Sequence, residues 1–323
     1  MSDDISLSKK ARVSFPGLRP FEPHETDLFY GRAEQIDGML NRLETNRFVA
    51  IVGASGCGKS SLVRAGLLPA VADGFLMGAG KDWRFVIARP GDAPFANLAQ
   101  ALATAKTGKD LVAPPSKNQP VQVADPYQVA LLENSLVSGN NNMNDALAQC
   151  EYPAETSILV LIDQFEELFR FRDLARRDRR GDAYEQRNEA MLFVDLLLGT
   201  ARQTERPVYV VITMRSDFLG NCDAFFGLPE AISDSQFLAP RMTRKQLSEA
   251  ITSPSGVCGG GVEPGFVNRV LNDVGSDPDQ LPLMQHALMR TWTLQSGSTD
   301  NTQSAQRILT IADYEQDRVG GFM

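Results

Sequence analysis

Short apolar runs alternate with segments of helical periodicity through the first two-thirds of the chain. Each run has the length of a strand, and a continuous apolar run of this length is typical of a strand buried on both faces. The four predicted strands are RFVAIVG at 47–53, WRFVIARPG at 83–91, SILVLIDQF at 157–165 and PVYVVITMRSDF at 207–218. Because strands that alternate with helices form parallel sheets, the pattern predicts an α/β fold with helices on both faces of a parallel sheet.

Helical periodicity connects these strands and dominates the last third of the chain. A helix is predicted after the turn at Gly31, and a second follows the first strand and is expected to stop near Pro69. The proline-rich stretch 107–145 is interpreted as an excursion with one helix at 126–136 and an asparagine-rich tip. The other predicted helices are ANLAQALATA, MLFVDLLLG, TRKQLSEAI, PGFVNRVLNDV and LPLMQHALMRTW.

Residues 53–60, GASGCGKS, fit the phosphate-binding pattern G-x-x-x-x-G-K-[ST] between a predicted strand and a predicted helix. The glycines let successive backbone N–H groups converge on phosphate oxygens, and the helix adds its positive N-terminal end. Lys59 is expected to reach the β- and γ-phosphates, and the Ser60 hydroxyl to ligate Mg²⁺. A chance glycine-rich turn is the alternative. The candidate nucleotide-binding residues are Gly53, Ala54, Ser55, Gly56, Cys57, Gly58, Lys59, Ser60 and Ser61.

Acidic residues follow the third predicted strand. Asp163 stands at its carboxyl end, where a carboxylate of a phosphate-binding-loop protein orients Mg²⁺ directly or through water. Glu166 and Glu167 come within one turn of it, and either could polarise an attacking water. The alternative is that both glutamates only favour the start of a helix electrostatically.

Two arginines close other predicted strands. Arg215 ends the fourth strand just beyond Thr213 and could project over the sheet edge towards a γ-phosphate. The alternative is a surface arginine at a strand end. Arg89 closes the second strand and could face the same crevice, although structural pairing is the favoured interpretation there.

Composition disfavours several other classes of function. The 323 residues are 43% apolar and 22% charged, which is ordinary for a globular protein, and the net charge of −8 argues against nucleic acid as a direct partner. No run of eighteen apolar residues predicts a membrane span, and the N-terminus lacks a secretory apolar region. Four scattered cysteines without a CxxC pair fit a reducing cytoplasm.

Four motifs together resemble the STAND class of signal-transducing P-loop ATPases, most closely the bacterial novel STAND NTPases, which are related to the NACHT and AP-ATPases. PGLRPFEPHETDLFYGR is similar to that group's N-terminal signature, and DQFEEL is similar to its Walker B segment. TMRSDF looks like its strand-4 sensor, and DQLPLMQHALMRTW looks like an element of its helical domain. The likeness runs from residue 15 to the end of the chain, but 107–145 matches no pattern of the family.

The resemblance implies roles for particular residues. Tyr30, Gly31 and Arg32 would pack beside the adenine, and Pro282 would touch the base. Glu166 would activate water, and Arg215 would sense the γ-phosphate. The implied domains are an N-terminal arm at 1–28, a P-loop NTPase domain at 29–240, a helical lid domain at 241–307 and the beginning of a truncated winged helix at 308–323.

Two other classes of P-loop protein fit less well. ABC transporter ATPases need an LSGGQ-like segment and a glutamate directly after the Walker B aspartate, whereas Gln164 follows Asp163 here. Small-molecule kinases would place an arginine-rich lid between the motifs, and 107–145 contains no arginine. A scaffold that binds no nucleotide is disfavoured because Lys59, Ser60 and Asp163 are all present.

We therefore expect a STAND-class switch that binds ATP or ADP with Mg²⁺ and hydrolyses ATP slowly. ADP would favour a closed monomer and ATP an open form that assembles into a homo-oligomer. Sensor and effector domains, or protein partners, would lie outside this chain. A turnover ATPase of the AAA+ or ABC-like type shares every motif and is the alternative.

Overall fold

The computed structural model describes residues 13–115, 123–138, 142–153, 155–169, 182–274, 281–297 and 307–319. Its chain contacts form two compact units. The sheet unit consists of Gln35–Ala54 and Leu67–Ala239. The helical unit consists of Met1–Glu34, Ser55–Gly66 and Pro240–Met323. The division into four domains that the resemblance implies stays a prediction.

A six-stranded sheet forms the centre of the sheet unit, with the strand order β3-β2-β4-β5-β1-β6. All of its pairings are parallel except that between β2 and β3, which confirms the predicted α/β class. The strands are β1 Phe48–Gly53, β2 Trp83–Ala88, β3 Lys106–Thr107, β4 Ser157–Ile162, β5 Val208–Arg215 and β6 Phe237–Leu238.

The central strands are apolar because they are covered on both faces. Every residue of β1 and of β4 is buried, as continuous apolar runs predict. Each fully buried leucine, isoleucine or valine side chain stabilises the fold by about 1.5–3 kcal/mol relative to its exposed state. The two edge strands β3 and β6 have only two residues each, which is too short to give an apolar run, and the sequence did not predict them.

Helices flank these strands along the chain. The bounds are Ala33–Thr45, Leu68–Ala72, Pro94–Ala103, Gly108–Val112, Pro126–Ser138, Asn144–Gln149, Asp182–Arg202 and Leu228–Ser235. Short 3₁₀ helices span Phe165–Phe169 and Ser216–Ala224. The excursion at 107–145 therefore contains more structure than its one predicted helix, and residues 139–141 of its asparagine-rich tip lie outside the described residues.

The helix after β1 ends at Ala72, close to the end near Pro69 that the sequence predicts, but its interior is not regular. An α-helical turn at Lys59–Ser61 widens into a π-helix at Leu62–Leu67 and then narrows again into the α-helix Leu68–Ala72. Pro69 lies in the first turn of this last segment, where a missing N–H group costs little. The proline is thus accommodated where the hydrogen-bond pattern changes.

The helical unit contains the three helices predicted after Thr243, at Arg244–Val257, Phe266–Val274 and Leu281–Gly297. Thr243 and Gln246 form a capping box at the first of them. A two-stranded parallel sheet pairs β7 (Gly261–Val262) with β8 (Ile308–Leu309), and the helix Ile311–Val319 follows. The winged-helix assignment of this last segment stays a prediction. The core of the unit includes Phe15, Phe266, Trp292 and Tyr314.

Gly31 allows a close approach within the helical unit. Its φ is +80°, and a Cβ atom there would lie 2.4 Å from the carbonyl oxygen of Gln246. That oxygen belongs to the backbone of the helix Arg244–Val257 and cannot easily move aside. Glycine is therefore required at position 31 both by the left-handed backbone and by the contact.

We expect Gly31→Ala to lower the free energy of unfolding by about 2–5 kcal/mol, because it combines left-handed strain with a backbone clash. Gly259→Ala is the matched control, since Gly259 has a φ of +77° in the same unit and open space around the added Cβ. The control should cost only about 1–2 kcal/mol. Urea unfolding measures both, and equal losses would show that the contact with Gln246 is unimportant.

Candidate nucleotide-binding site

The phosphate-binding segment begins at the end of β1. Gly53 is the last residue of this strand and is paired with Arg215 of β5. Gly56 and Gly58 have φ angles of +67° and +87°, which only glycine adopts readily. A Cβ atom on Gly58 would meet no atom within 4 Å, so the backbone borders open space there. A concave loop of this kind, followed by the helical turn at Lys59–Ser61, fits a phosphate group.

Arg32 holds the backbone of this loop. Its side chain is 3% exposed and donates one hydrogen bond to the carbonyl oxygen of Cys57 at 2.8 Å and another to that of Pro240 at 2.7 Å. Burial lowers the pKa of the Arg32 guanidinium, because the charge loses hydration. Both contacts join distant parts of the chain within the helical unit. The sequence did not predict this role, and the position of Arg32 beside adenine stays a prediction.

The N-terminal arm contacts the helical turn that follows the loop. The Phe21 N–H group donates a hydrogen bond to Ser61 Oγ at 3.1 Å, and Arg64 pairs with Glu22 at 3.1 Å. Ser61 is thereby an anchor for the arm as well as a candidate nucleotide contact. The Lys59 Nζ atom lies 3.9 Å from Cys57 Sγ.

Asp163 is more deeply buried than the two other acidic candidates, Glu166 and Glu167. Its side chain is fully buried directly after β4, and its Oδ1 atom accepts a hydrogen bond of 2.6 Å from the Thr213 hydroxyl. The same Thr213 oxygen accepts a hydrogen bond of 3.0 Å from the Gln164 N–H group, and Gln164 has a left-handed φ of +61°. Thr213 therefore fixes both the carboxylate and the turn that presents it.

Arg89 supplies a positive charge to the same carboxylate. Its Nη2 atom lies 3.8 Å from Asp163 Oδ2. The structural pairing predicted for Arg89 is confirmed, and its partner is the candidate metal ligand. The parallel pairing of β2 with β4 explains this contact. Ala88 is paired with Ile162, so the residues that follow them, Arg89 and Asp163, leave the sheet side by side at its carboxyl end.

The two glutamates have different surroundings. Both lie in the 3₁₀ helix Phe165–Phe169, half-buried. Glu167 Oε2 accepts a hydrogen bond of 2.9 Å from the Gly91 N–H group, in the loop after β2. Glu167 thus stabilises a neighbouring loop, while the water-activating role of Glu166 stays a prediction.

Arg215 contacts its own sequence neighbours. Its Nε and Nη2 atoms donate to Asp217 Oδ1 and Oδ2 at 3.0 and 2.6 Å, and its guanidinium carbon lies 5.4 Å from the centre of the Phe218 ring. The side chain is 42% exposed, so solvent weakens the pairing. The carboxylate of Asp217 occupies the fork that would bind a phosphate.

The residues implied to contact the base lie in the helical unit. Tyr30 is partly exposed beside Gly31, and Pro282 is in the first turn of the helix Leu281–Gly297. Their adenine contacts stay predictions.

The donor types present fit Mg²⁺. This cation prefers oxygen ligands and one or two carboxylates together with substrate phosphates. In the sheet unit, Asp163 offers a buried carboxylate whose orientation is already fixed by Thr213. In the helical unit, Ser60 offers a hydroxyl in the turn that follows the glycine-rich loop. Among the described residues, no helix has the length and apolar character needed to cross a bilayer.

A glycine-rich loop after the first strand of a parallel sheet, with a buried aspartate ending another strand, defines a P-loop nucleotide-binding protein. Comparison with known families agrees and is more specific. The model of the novel STAND NTPase 1 family matches residues 14–322, so the chain belongs to that family. The resemblance inferred from the sequence is confirmed.

Curated relatives are ATP-binding proteins that match over short stretches. The phosphate import ATP-binding protein PstB 1 of Streptococcus thermophilus is 35% identical over 54 residues, which are 16% of this chain and 20% of that protein. The aliphatic sulfonates import ATP-binding protein SsuB 1 of Mesorhizobium japonicum is 30% identical over 102 residues, covering 30% of this chain and 38% of its own length. This chain therefore spans between a fifth and two-fifths of the length of these relatives.

Among solved structures, the ORC2 protein of Aeropyrum pernix in its ADPNP and ADP complexes is similar to this chain. The TM-score is 0.46 at 13% identity, with 90% of this chain and 67% of the other covered.

Thr213→Val should weaken the Mg²⁺ dependence of nucleotide binding, because it removes the donor that orients Asp163. Groups that orient a metal ligand typically contribute about 10- to 100-fold in metal affinity. The Mg²⁺ concentration that half-saturates ATP binding, followed by calorimetry, should rise by about that factor. Thr213→Ser keeps the hydroxyl and is the control. An unchanged Mg²⁺ requirement in the valine variant would contradict the positioning role.

Proposed function

We propose that this chain is the nucleotide-binding part of a STAND-class switch that binds Mg²⁺ with ATP or ADP and hydrolyses ATP slowly. The observation that carries the proposal is the buried, pre-oriented carboxylate of Asp163 at the sheet edge where β1 ends and the GASGCGKS segment begins. Membership of the novel STAND NTPase 1 family supports it.

Each group has a distinct task in this proposal. The loop N–H groups and Lys59 bind the β- and γ-phosphates. Ser60 and Asp163 hold Mg²⁺, which when bound neutralises charge that develops on the phosphate oxygens. Glu166 accepts a proton from the attacking water. Thr213 keeps the Asp163 carboxylate in one orientation, so no reorganisation is needed when the cation arrives.

Arg215 distinguishes ATP from ADP in this proposal. Its present partner, Asp217, is a half-exposed carboxylate two residues along the chain. A γ-phosphate carries more negative charge than this carboxylate and offers the same bidentate geometry, so it can compete with Asp217 for the guanidinium. ADP has no such group. A nucleotide shifts a conformational equilibrium only through differential contacts of this kind, and the ATP form is the one that assembles into a homo-oligomer.

A conventional turnover ATPase is the second candidate, since two import ATP-binding proteins are 30–35% identical to this chain over part of its length. The two proposals differ in rate and in retained nucleotide. A switch should co-purify with ADP and turn over far more slowly than the roughly 1–10³ per second of ordinary enzymes. Rapid turnover by a protein purified without nucleotide would favour the second candidate.

Lys59→Ala should abolish nucleotide binding in calorimetry, because it removes the main positive charge at the phosphates. Lys81→Ala removes an exposed lysine outside the loop and should bind as the wild type does. Undiminished affinity of the Lys59 variant would reject the P-loop assignment.

Glu166→Gln should retain ATP binding and slow hydrolysis by about 10²–10⁴, the usual contribution of a general base. Glu167→Gln should remain within several-fold of the wild type, since an amide oxygen can still accept the Gly91 hydrogen bond. Phosphate release under single-turnover conditions measures both. If the Glu167 variant is the slower one, the roles of the two glutamates are reversed.

A further inference from the structure

We propose that Arg89 is a further catalytic residue of the nucleotide site, binding the terminal phosphate from the side of Asp163 opposite to Arg215. The inference deepens the proposed function and rests on it. Its motivation is a set of contacts around the loop Arg89-Pro90-Gly91, none of which the phosphate-binding motifs require.

The strand order places the two arginines on either side of the candidate metal ligand. β4 lies between β2 and β5 in the sheet. Arg89 directly follows β2, Asp163 directly follows β4, and Arg215 ends β5. The Asp163 N–H group also donates a hydrogen bond of 2.9 Å to the Ala88 carbonyl oxygen, which keeps the ends of β2 and β4 in register. Arg89 is therefore one strand away from the metal ligand.

The loop that carries Arg89 is fixed from both sides. The Glu167 carboxylate accepts the Gly91 N–H group at 2.9 Å, and the Asn97 side-chain amide donates to the Pro90 carbonyl oxygen at 2.8 Å. Gly91 has a φ of +53°, and a Cβ atom there would lie 2.9 Å from Asn97 Nδ2. These contacts limit the positions that Arg89 can occupy.

The contact of Arg89 with Asp163 is a long one. Its side chain is 46% exposed, and the 3.8 Å distance to Asp163 is longer than a hydrogen bond. The buried Asp163 carboxylate keeps its 2.6 Å hydrogen bond from Thr213, so the longer contact with Arg89 is the weaker of these two restraints. A fixed loop thus presents a solvent-accessible guanidinium beside a buried carboxylate, an arrangement that suits a ligand better than a fold contact.

The chemistry of that ligand follows from the guanidinium. Its planar fork binds two oxygens of a phosphate at once. A divalent cation held by Asp163 would neutralise the carboxylate charge, which would leave the Arg89 guanidinium available to a γ-phosphate. ADP offers no oxygen at that position, so Arg89 should favour ATP selectively and stabilise charge on the transferring phosphoryl group.

Arg89→Gln tests this directly, with Arg84→Gln as the matched control. Arg84 is on the same strand, and its guanidinium packs over the Tyr152 ring rather than near Asp163. Calorimetry with Mg²⁺ compares β,γ-imido ATP and ADP for the wild type and both variants, and thermal melting without nucleotide is read in parallel. Arg89→Gln should weaken the ATP analogue by about 10- to 100-fold and leave ADP within threefold. The Tm of Arg89→Gln should match that of the wild type. The affinities of Arg84→Gln for both nucleotides should also match those of the wild type.

A second variant tests the supporting loop. Glu167→Ala removes the acceptor for the Gly91 N–H group and should shift selectivity in the same direction as Arg89→Gln, by a smaller factor. Equal losses for both nucleotides, an unchanged affinity for the ATP analogue, or a lowered Tm in Arg89→Gln would overturn the proposal. So would a lower Mg²⁺ requirement without altered selectivity, because Arg89 would then only compete with the cation. Failure of the wild type to bind either nucleotide would instead reject the proposed function.

Discussion

The orientation of one buried carboxylate determines what the edge of the central sheet can do. Transfer of an ionised carboxylate out of water is costly unless hydrogen bonds and opposite charge compensate for it. Asp163 receives both from the adjacent strands, a hydroxyl hydrogen bond from Thr213 on β5 and a positive charge from Arg89 after β2. Parallel pairing of β4 between β2 and β5 is what brings these partners together. The strand order of the sheet therefore determines which groups surround the Asp163 carboxylate.

The strands and the motifs were predictable because their signals are local. Buried parallel strands give continuous apolar runs, and a phosphate-binding loop has a fixed spacing of glycines and lysine. The two-residue strands β3 and β6 give no such signal because they are too short to form an apolar run.

The supporting residues were not predictable because their partners are distant in the chain. Arg32 reaches the carbonyl oxygens of Cys57 and Pro240, and Glu167 reaches Gly91, across separations of 25 to 208 residues. In the sequence, Arg32 carried only the family's implied adenine contact and Glu167 only the role of a candidate base. A weak signal existed for the second, since Arg-Pro-Gly after a strand suggests a turn with a defined geometry. Deciding what that turn contacts required the fold.

The two tryptophans divide between the two units. Trp83 opens β2 in the sheet unit, packed against Phe85 and Tyr209. Trp292 is buried in the helical unit with Phe15 at its edge and the Arg307 guanidinium 5.5 Å from its ring centre. A nearby cation changes the electrostatic field on an indole more than neutral aromatic rings do. Trp292, beside Arg307, should therefore emit differently from Trp83, which packs against aromatic rings. With one tryptophan replaced, Trp83→Phe or Trp292→Phe, intrinsic fluorescence can thus follow one unit at a time without a label.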